Sequence, residues 1–454
     1  MAEASVVVAG GGLAGIAAAL RLSDAGLRVV LVEGRPRLGG AAFSFRRGEL
    51  TIDNGQHVFL RCCEEYIALL ERLGVRDKVA LQRRLDVPVL HPDGTVAHLR
   101  RTRGVPAPAH LTAALARYRL LRPADRLRIA RGALALRRLD PDDPSLDAET
   151  LGGFLRRHGQ NDETIDRLWA IIAVATLNVD PDHASLALAA KVFRTGLLDH
   201  ARAADVGYAA VPLGALHSDA ALASLRTAGV EVLLAHRVSR VDSGAGQASV
   251  SLTSHSGGDR RLVADDVVLA MPWTDALAST PQLAGRPAAR AEDLGSSPIV
   301  NVHVVYDRRV TDFPFAAAVD SPVQWFFDRT DSSGLRAGQY LAVTVSAADA
   351  YIDRASRELT EQFVAELGRL LPGARDAKVV DSFVTRERRA TFRQVAGSAA
   401  ARPHCTTGLD RVWLAGAWTA TGWPDTMESA VRSGNAAARC VLQNTGKRGQ
   451  VLAA

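Results

Sequence analysis

One short stretch of the sequence concentrates side chains that could do acid–base, metal or thiol chemistry. Residues 51–63 read TIDNGQHVFLRCC and contain Asp53, Gln56, His57, Arg61, Cys62 and Cys63. Three interpretations are open at this point: a metal site, a thiol nucleophile, or the wall of a pocket whose chemistry belongs to another group. The stretch alone does not decide among them, so the elements around it must.

The cysteine pattern argues against the first two interpretations. The chain has four cysteines, Cys62, Cys63, Cys405 and Cys440, without CxxC or mixed Cys/His ligand spacing. We therefore predict no metal site. The adjacent Cys62 and Cys63 are poorly placed to pair with each other, and we expect both to fill core space. Four cysteines also fit a reducing compartment.

The start of the chain predicts a strand, a glycine turn, a helix and a second strand. SVVVA is a β-branched run, GGGLAG supplies GxGxxG at Gly10, Gly12 and Gly15, and LRVVLVE ends in Glu33. This is the dinucleotide-binding fingerprint of a Rossmann unit. The helix start would meet a pyrophosphate, and Glu33 would accept hydrogen bonds from ribose hydroxyls.

Composition limits the other possibilities. The chain has 454 residues, 47% of them hydrophobic, and a net charge of +6. It is long enough for two intertwined domains. Mean hydropathy near zero and no long apolar run argue against a transmembrane helix, and the N-terminus lacks the basic region of a signal peptide. We therefore expect a cytoplasmic protein.

The segments after the fingerprint resemble the amine oxidase and phytoene desaturase superfamily of flavoproteins. EGRPRLGGAAF places a glycine pair, Gly39 and Gly40, after the acidic residue, and VWLAGAWTATGWPDTMESAVRSG resembles the C-terminal return to the cofactor domain. The resemblance implies that a helix start near Met427 meets the pyrimidine end of the flavin. Two positions depart from it: Ala41 replaces a common arginine, and Ala417 replaces a common aspartate.

The resemblance also implies an α/β, amine oxidase-like two-domain fold. Its Rossmann-type FAD-binding domain would be assembled from residues 1–90, 200–275 and 385–454. Residues 90–200 and 275–385 would form a mixed α+β substrate domain, with a helical first insertion and an alternating, sheet-like second one. Within the middle FAD segment, GVEVLLAHRVSRVDS looks like the strand pair that holds adenine, and it places Val238 at that contact.

The helical stretch 107–139 belongs to an arginine-rich region. Residues 100–138 contain eleven arginines and one acidic residue, Asp125. One interpretation is a solvated arginine face over an ordinary core. Another is a basic amphipathic helix on an anionic membrane, with Leu115, Leu120, Leu121 and Leu127 dipping inward. Nucleic acid is disfavoured, because base-stacking aromatic residues are not interleaved.

Across nearly the whole chain the sequence resembles the squalene-associated FAD-dependent desaturase family, the hydroxysqualene dehydroxylases of hopanoid biosynthesis. RLGGAAFSFRRGELTIDNGQHVFLRCCEEY and LAGAWTATGWPDTMESAVRSG carry this resemblance best. It implies non-covalent FAD and the reductive removal of the hydroxyl of hydroxysqualene. The implied cofactor contacts are Gly10, Gly12, Leu13, Ala14, Gly15, Glu33, Gly34, Arg35, Gly39, Gly40, Ala41, Gly55, Gln56, His57, Val238, Gly416, Ala417 and Met427.

Residues 51–63 then follow the glycine pair at the distance where relatives pass a loop beside the flavin, so the pocket-wall interpretation fits best. Departure of the substrate hydroxyl needs an acid, and His57 is the predicted donor, with simple hydrogen bonding by its ring as the alternative. Asp53 is expected to be a buried acceptor. With Ala41 in place of arginine, Arg35 or Arg37 would neutralise the phosphates.

Two alternatives to this function stay open. A carotenoid-type desaturase would run hydride transfer in the opposite direction, from a long isoprenoid to the flavin. A non-catalytic flavoprotein would bind the lipid or act as a scaffold without turning it over. An amine oxidase with covalent flavin is disfavoured, because its cysteine-bearing segment has no match here. The sequence shows no second Rossmann fingerprint, so the external electron donor is unknown.

Overall fold

The structure is a computed structural model that describes residues 5–244, 246–254 and 257–446. At its centre lies a five-stranded parallel sheet, as the β-branched run SVVVA predicted. In spatial order its strands are Glu231–Leu234, Arg28–Glu33, Ser5–Ala9, Asp266–Leu269 and Val412–Leu414. Three distant parts of the chain thus meet in one sheet, which confirms the Rossmann-type fold assembled from discontinuous segments.

Two helices cover this sheet beside the glycine-rich turn. Leu13–Asp24 connects the first two strands, and Met427–Asn444 packs against it at the end of the described chain. The contact is close because Gly434 faces the first turn of the other helix: a Cβ there would lie 2.1 Å from the Ala14 carbonyl oxygen. Ser433 and Ala437, two other small residues of the final helix, are also buried.

A second, seven-stranded sheet is mostly antiparallel. In spatial order its strands are Val379–Phe392, Ser296–Tyr306, Gln339–Val345, Trp325–Asp328, Phe315–Ala318, Asp86–Leu90 and Val96–Arg100. The alternating segments of the second insertion form its centre, as predicted. Asp86–Leu90 and the second half of Val379–Phe392 belong to segments assigned by sequence to the FAD-binding domain, so the domain limits at 90 and 385 stay predictions.

Smaller sheets connect these two. The first is antiparallel and contains His236–Ser243, Ala248–Ser254 and Asp259–Ala264. In a second, Val206–Ala209 lies between Val58–Leu60 and Val79–Leu81. The hairpin Ser44–Arg47 and Leu50–Asp53 leads directly into the polar stretch that opened the sequence analysis.

The first insertion is mostly helical, as predicted. Its helices are Thr112–Ala116, Pro123–Arg137, Leu151–Arg157, Asp162–Thr164, Ala170–Leu177 and Leu186–Phe193, with π-helical turns at Ile165–Trp169 and Arg194–Leu198. The other helices are Glu64–Arg72, Ala220–Thr227, Trp273–Ser279, Thr330–Ser333 and Ser356–Leu370.

The arginine-rich stretch differs from its prediction in one respect. Leu120 and Leu121, predicted to dip into a membrane, are buried in the protein core, so that assignment was wrong. The chain breaks its helical path between residues 117 and 122, which turns these two side chains inward. Leu127 and Leu134 are exposed instead, at 76% and 50%.

The cysteines also differ from expectation. Cys62 and Cys63 are half-buried free thiols rather than fully buried core residues, because they stand where the chain enters the helix Glu64–Arg72. The structure pairs Cys405 with Cys440, which the number of cysteines did not predict. Among the described residues, no cluster of His, Cys, Asp and Glu could hold a metal ion, and no helix is long and apolar enough to cross a membrane.

Candidate functional site

The glycine turn after the first strand has the geometry that its motif predicts. Gly10 has a φ of +118°, and a Cβ on it would lie 2.2 Å from the Ala270 carbonyl oxygen. A Cβ on Gly15 would lie 1.9 Å from the Gly10 carbonyl oxygen, so both positions require glycine. The helix beginning at Leu13 has no acidic residue in its first turn, which leaves its N-terminal N–H groups suited to an anion.

Glu33 ends the second strand beside this turn. Its Oε2 accepts a hydrogen bond of 2.7 Å from the Gly11 N–H, and its Oε1 accepts one of 2.8 Å from the Arg35 N–H. Carboxylate oxygens can each accept a further bond, so both remain available to ribose hydroxyls. Gly34 lies close to the backbone at Arg237, where an ideal Cβ would be 3.9 Å from the Arg237 Cα.

The glycine pair packs directly on the glycine turn. Gly39 and Gly40 have φ values of +98° and +57°, and the Gly39 N–H donates to the Gly11 carbonyl at 2.9 Å. A Cβ on Gly40 would lie 2.8 Å from the Gly12 Cα. Ala41 follows this pair and is exposed.

Arg37 is the cation that lies against the glycine pair. Its guanidinium stacks on Phe43 at 3.7 Å and donates to the carbonyls of Leu38 and Gly40. Burial and the nearby Arg35 charge lower the pKa of Arg37. Of the two arginines predicted to neutralise phosphates, Arg37 is therefore the better placed; Arg35 lies farther from the same ring, at 5.7 Å.

The predicted adenine contact lies on the strand His236–Ser243. Val238 is half-buried there, just before a register shift in the pairing with the next strand. The Ala235 N–H donates to the Arg35 carbonyl at 3.0 Å. The start of the strand that contains Val238 thus lies beside Gly34 and Arg35, directly after Glu33.

At the C-terminal segment, Gly416 has a φ of +148° and donates from its N–H to the Ser433 hydroxyl at 2.8 Å. The final helix begins at Met427, with Thr426 as its cap. The Thr426 hydroxyl accepts from the Ser429 N–H. Met427 is therefore a first-turn residue whose backbone N–H has no partner within the helix.

The stretch 51–63 is organised by a buried ion pair. Asp53 Oδ2 lies 2.7 Å from the Arg329 Nη2, and both side chains are under 10% exposed. The other Asp53 oxygen accepts from the Ser44 hydroxyl and the Leu213 N–H, at 2.6 and 3.0 Å. Arg329 also donates to the Ala209 carbonyl. Asp53 is thus a buried acceptor, as expected.

His57 and Gln56 face a small cavity beside this pair. The residues lining the cavity are Asp53, Gln56, His57, Val58, Tyr208, Ala209, Leu213, Phe327 and Arg329. Among the described residues no hydrogen bond holds the His57 ring, and the Gln56 Nε2 is buried without a partner. Burial lowers the pKa of His57; the Asp53 charge opposes this effect and the Arg329 charge adds to it. A lowered pKa leaves His57 mostly neutral at pH 7.

Arg329, Ser44 and Tyr208 belong to this site and were missed by the sequence analysis. Arg329 is 276 residues from Asp53 along the chain. It stands near the end of the segment VQWFFDRT in the second insertion as an ordinary charged residue. The only signal in the sequence was a strand that ends in charged residues, which also occurs at many surface turns.

The residues present fit FAD at this site. Gly12 and Gly40 approach each other without side chains, so backbone N–H groups are accessible, and Arg37 supplies a cation beside them. The unpartnered Gln56 Nε2 is a donor that a flavin ring beside residues 55–57 would satisfy. The start of the helix at Met427 would offer partial positive charge to the N1–O2 edge of a bound flavin.

A family comparison identifies the chain. The model for flavin-containing amine oxidoreductases matches residues 13–442. The chain belongs to this family. The protein is therefore a flavin-dependent oxidoreductase, and the predicted superfamily is confirmed.

Curated relatives refine the position within the family. Hydroxysqualene dehydroxylase of Rhodopseudomonas palustris is 30% identical, covering 96% of this chain and 98% of the relative. The enzyme of the same name from Sinorhizobium fredii is 29% identical, covering 97% and 99%. A zeta-carotene desaturase of Arabidopsis thaliana is 24% identical, covering 95% and 84%. The resemblance to hydroxysqualene dehydroxylases is thereby confirmed.

Solved structures agree on the fold. A putative protoporphyrinogen oxidase from Exiguobacterium superposes with a TM-score of 0.70 at 17% identity and covers 98% of this chain and 100% of that one. The predicted amine oxidase-like two-domain fold is confirmed. At this identity the likeness concerns the fold alone.

Proposed function

We propose that this protein is a hydroxysqualene dehydroxylase, which converts hydroxysqualene to squalene in squalene and hopanoid biosynthesis. The observation that carries the proposal is the similarity, along nearly the whole chain, to two curated enzymes of that name. In the reaction the allylic C–O bond breaks, the oxygen takes up a proton and leaves as water, and the carbon gains a hydride. When bound, reduced FAD supplies that hydride and is oxidised by two electrons.

Non-covalent FAD is the proposed cofactor. The glycine turn and Arg37 would hold its pyrophosphate, Glu33 its ribose, and Val238 its adenine. Residues 55–57 and the helix start at Met427 would face the flavin ring. The inward position of Gln56 supports the last of these contacts, since its buried Nε2 otherwise has no acceptor.

Around the reacting carbon, the chain's own residues would exclude water and deliver a proton. Val58, Leu213 and Phe327 contribute apolar wall to this small cavity, where they would contact the substrate next to its reacting carbon. His57 is the proposed proton donor. Asp53 and Arg329 neutralise each other beside it, so that the ion pair adds little net charge where an allylic cation would form.

Product analysis tests this function. The purified protein with reduced FAD is incubated without oxygen with hydroxysqualene, and with a panel of C30 and C40 isoprenoids, and products are identified by mass spectrometry. We expect squalene to appear as the flavin is reoxidised. Desaturated C40 products with oxidised FAD would instead establish the carotenoid desaturase alternative. Tight lipid binding without any product would establish the non-catalytic one.

The proposed binding roles of the two domains correspond to the two large sheets. Residues 1–90, 200–275 and 385–454 would bind FAD, and residues 90–200 and 275–385 would bind the isoprenoid. The assignment of FAD binding is supported by the parallel sheet, because each of these three segments contributes at least one strand to it. The strands Asp86–Leu90 and Val379–Phe392 join the seven-stranded sheet and would form the seam between the two domains.

We also propose a cytoplasmic location with peripheral contact to the inner face of the plasma membrane through residues 107–139. Leu127 and Leu134 are seven residues apart, hence on one face of the helix Pro123–Arg137, and both are exposed. Six arginines nearby are exposed without a side-chain ion pair among the described residues: Arg117, Arg119, Arg122, Arg131, Arg137 and Arg138. This combination suits anionic lipid headgroups over a shallow apolar layer.

Vesicle sedimentation tests the membrane contact. We expect binding to phosphatidylcholine vesicles only when they contain phosphatidylglycerol, and weaker binding at high salt. Replacing Arg131 and Arg138 by Gln should weaken binding about tenfold or more, and Leu127→Ser with Leu134→Ser should do the same. Val380→Ser is the matched control, because Val380 is 62% exposed in the seven-stranded sheet. Binding to DNA but not to vesicles would overturn the assignment.

A further inference from the structure

Arg402 is a buried arginine on which the loop 416–426 depends. It is 6% exposed, and its Nη2 donates to the carbonyls of Ala417 and Thr419 and to the Thr421 hydroxyl, at 3.0, 2.5 and 3.3 Å. The guanidinium also stacks on the Phe392 ring at 4.9 Å. A single cation thus fixes three points of the loop that joins the central sheet to the final helix.

This cation is not neutralised by direct contact. Among the described residues no carboxylate lies within hydrogen-bond distance of Arg402, and its Nε is buried without a partner. Burial lowers the pKa of Arg402 to about 10, while Asp425 and Asp147 act in the opposite direction. The side chain therefore stays charged at neutral pH. A buried charge without an ion pair is costly, which argues for a role beyond packing.

The loop is in turn tied to the start of the final helix. The hydroxyls of Thr421 and Ser429 lie 2.6 Å apart, and Ser429 also donates to the Ala417 carbonyl at 3.1 Å. Because Ser429 is in the first turn of the helix that begins at Met427, the contacts of Arg402 reach the helix start through this hydroxyl pair and through the shared Ala417 carbonyl.

Asp425 places an opposite charge on the same loop. Its Oδ2 accepts from the Phe392 N–H at 2.8 Å, and its own N–H donates to the Gln394 side chain at 2.9 Å. Burial raises the pKa of Asp425 to about 6. Above that pH two separated charges therefore act at the loop: a positive one on Arg402, which holds it, and a negative one on Asp425, two residues before Met427.

We propose that Arg402 is a positioning residue for the flavin: it fixes the loop 416–426, and its charge, balanced by Asp425, sets the reduction potential of the flavin at the helix start. The inference rests on the proposed FAD site at Met427. Reduced flavin carries negative charge at N1–O2, so a nearby cation favours the reduced form and a nearby anion opposes it.

Removing the charge of Arg402 and removing that of Asp425 should change the reduction potential of the flavin in opposite directions. Arg402→Met should weaken FAD binding about tenfold or more, since the loop loses its charge-assisted hydrogen bonds, and should lower the potential. Arg402→Lys keeps the charge, so its potential should stay near that of the wild type although binding weakens. Asp425→Asn keeps the acceptor for Phe392 and should raise the potential.

The experiment uses the full chain at pH 8, where Asp425 is ionised. FAD affinity is measured by fluorescence titration, the potential by dye-coupled spectrophotometry, and folding by thermal unfolding. Arg101→Met is the control: Arg101 is also buried and pairs with Asp205, so its loss should lower stability and leave the potential unchanged.

The outcomes separate this inference from the proposed function. A wild-type protein that binds no FAD would refute the proposed cofactor itself. If the wild type binds FAD and Arg402→Met has an unchanged potential, the inference is overturned. If Arg402→Met does not fold, the other two variants decide: equal potentials in Asp425→Asn and wild type overturn it, whereas a raised potential there and an unchanged one in Arg402→Lys support it.

Discussion

At the scale of single residues, the cavity places an acid–base group, His57, beside the ion pair of Asp53 and Arg329. His57 has a lowered pKa, and the charges of Asp53 and Arg329 beside it act on that pKa in opposite directions. A neutral imidazole at pH 7 must gain a proton before it can protonate a leaving hydroxyl. If His57 is the proton donor, the rate of dehydroxylation should therefore depend on pH. A histidine that only forms a hydrogen bond would not produce this dependence.

Replacing His57 with Gln should slow dehydroxylation about a hundredfold, the usual contribution of a general acid, while bound flavin is retained. In the wild type the rate should rise as pH falls towards the lowered His57 pKa, because the protonated fraction increases; in His57→Gln this rise should disappear. Single-turnover rates measured from pH 5 to 8 check both. Cys62→Ser in the same stretch is the control and should turn over normally. An unchanged rate in His57→Gln would remove this residue from the mechanism.

At the scale of secondary structure, the close packing of the two helices on the central sheet depends on one glycine. Gly434 in the final helix faces the Ala14 carbonyl in the helix that follows the glycine turn. Ala14 lies within the motif that would bind the pyrophosphate. The packing of the C-terminal helix is thus connected directly to the shape of the nucleotide site.

Gly434→Ala should destabilise the protein by about 1–3 kcal/mol, the usual cost of overpacking. Helix propensity alone predicts the opposite sign, a gain of about 1 kcal/mol, so the direction of the change is diagnostic. Urea unfolding measures it, and FAD affinity should fall in parallel. Arg439→Ala, on the exposed side of the same helix, should stay within about 0.5 kcal/mol of wild type. A stabilised Gly434→Ala protein would contradict the close contact.

At the scale of the whole molecule, buried histidines connect stability to pH. Burial lowers the pKa of His217 to about 4 and that of His303 to about 3. His217 bonds to Tyr66 at 2.8 Å, and His303 bonds to Tyr340 and Thr385 at 2.6 and 3.0 Å. Both rings are therefore neutral in the folded protein at pH 7.

The folded protein should lose stability as pH falls below about 6.5, the unfolded histidine pKa. Because the unfolded chain binds protons there that the folded chain does not, each ring should cost about 2 kcal/mol between pH 6.5 and 5. Asp425, whose pKa is raised to about 6, offsets part of this loss. Urea unfolding across this range measures the slope. His303→Gln should reduce the slope, the exposed His200→Gln should not, and equal slopes in all three proteins would refute the assignment.

Much of the fold could be predicted because its signals are local. The turn at Gly10 and Gly15 is dictated by steric contacts within ten residues of chain and the strand beside it, and the alternation of SPIVNVHVVYD predicts a strand by itself. The inward path of Leu120 and Leu121 was missed because both faces of that stretch contain leucine and arginine. Only packing against the neighbouring helices decides which face is buried.

The sequence by itself determined the flavoprotein family, the glycine-rich nucleotide turn and the polar stretch beside the cavity, since each depends on residues close together in the chain. Tertiary structure alone decided that Asp53 meets Arg329 and that Arg402 lies beneath the loop 416–426. The physical reason is that the environment of a charged side chain is set by burial and by the partners that folding brings to it, such as Arg329, which meets Asp53 from 276 residues away. Neither can be read from its neighbours in sequence.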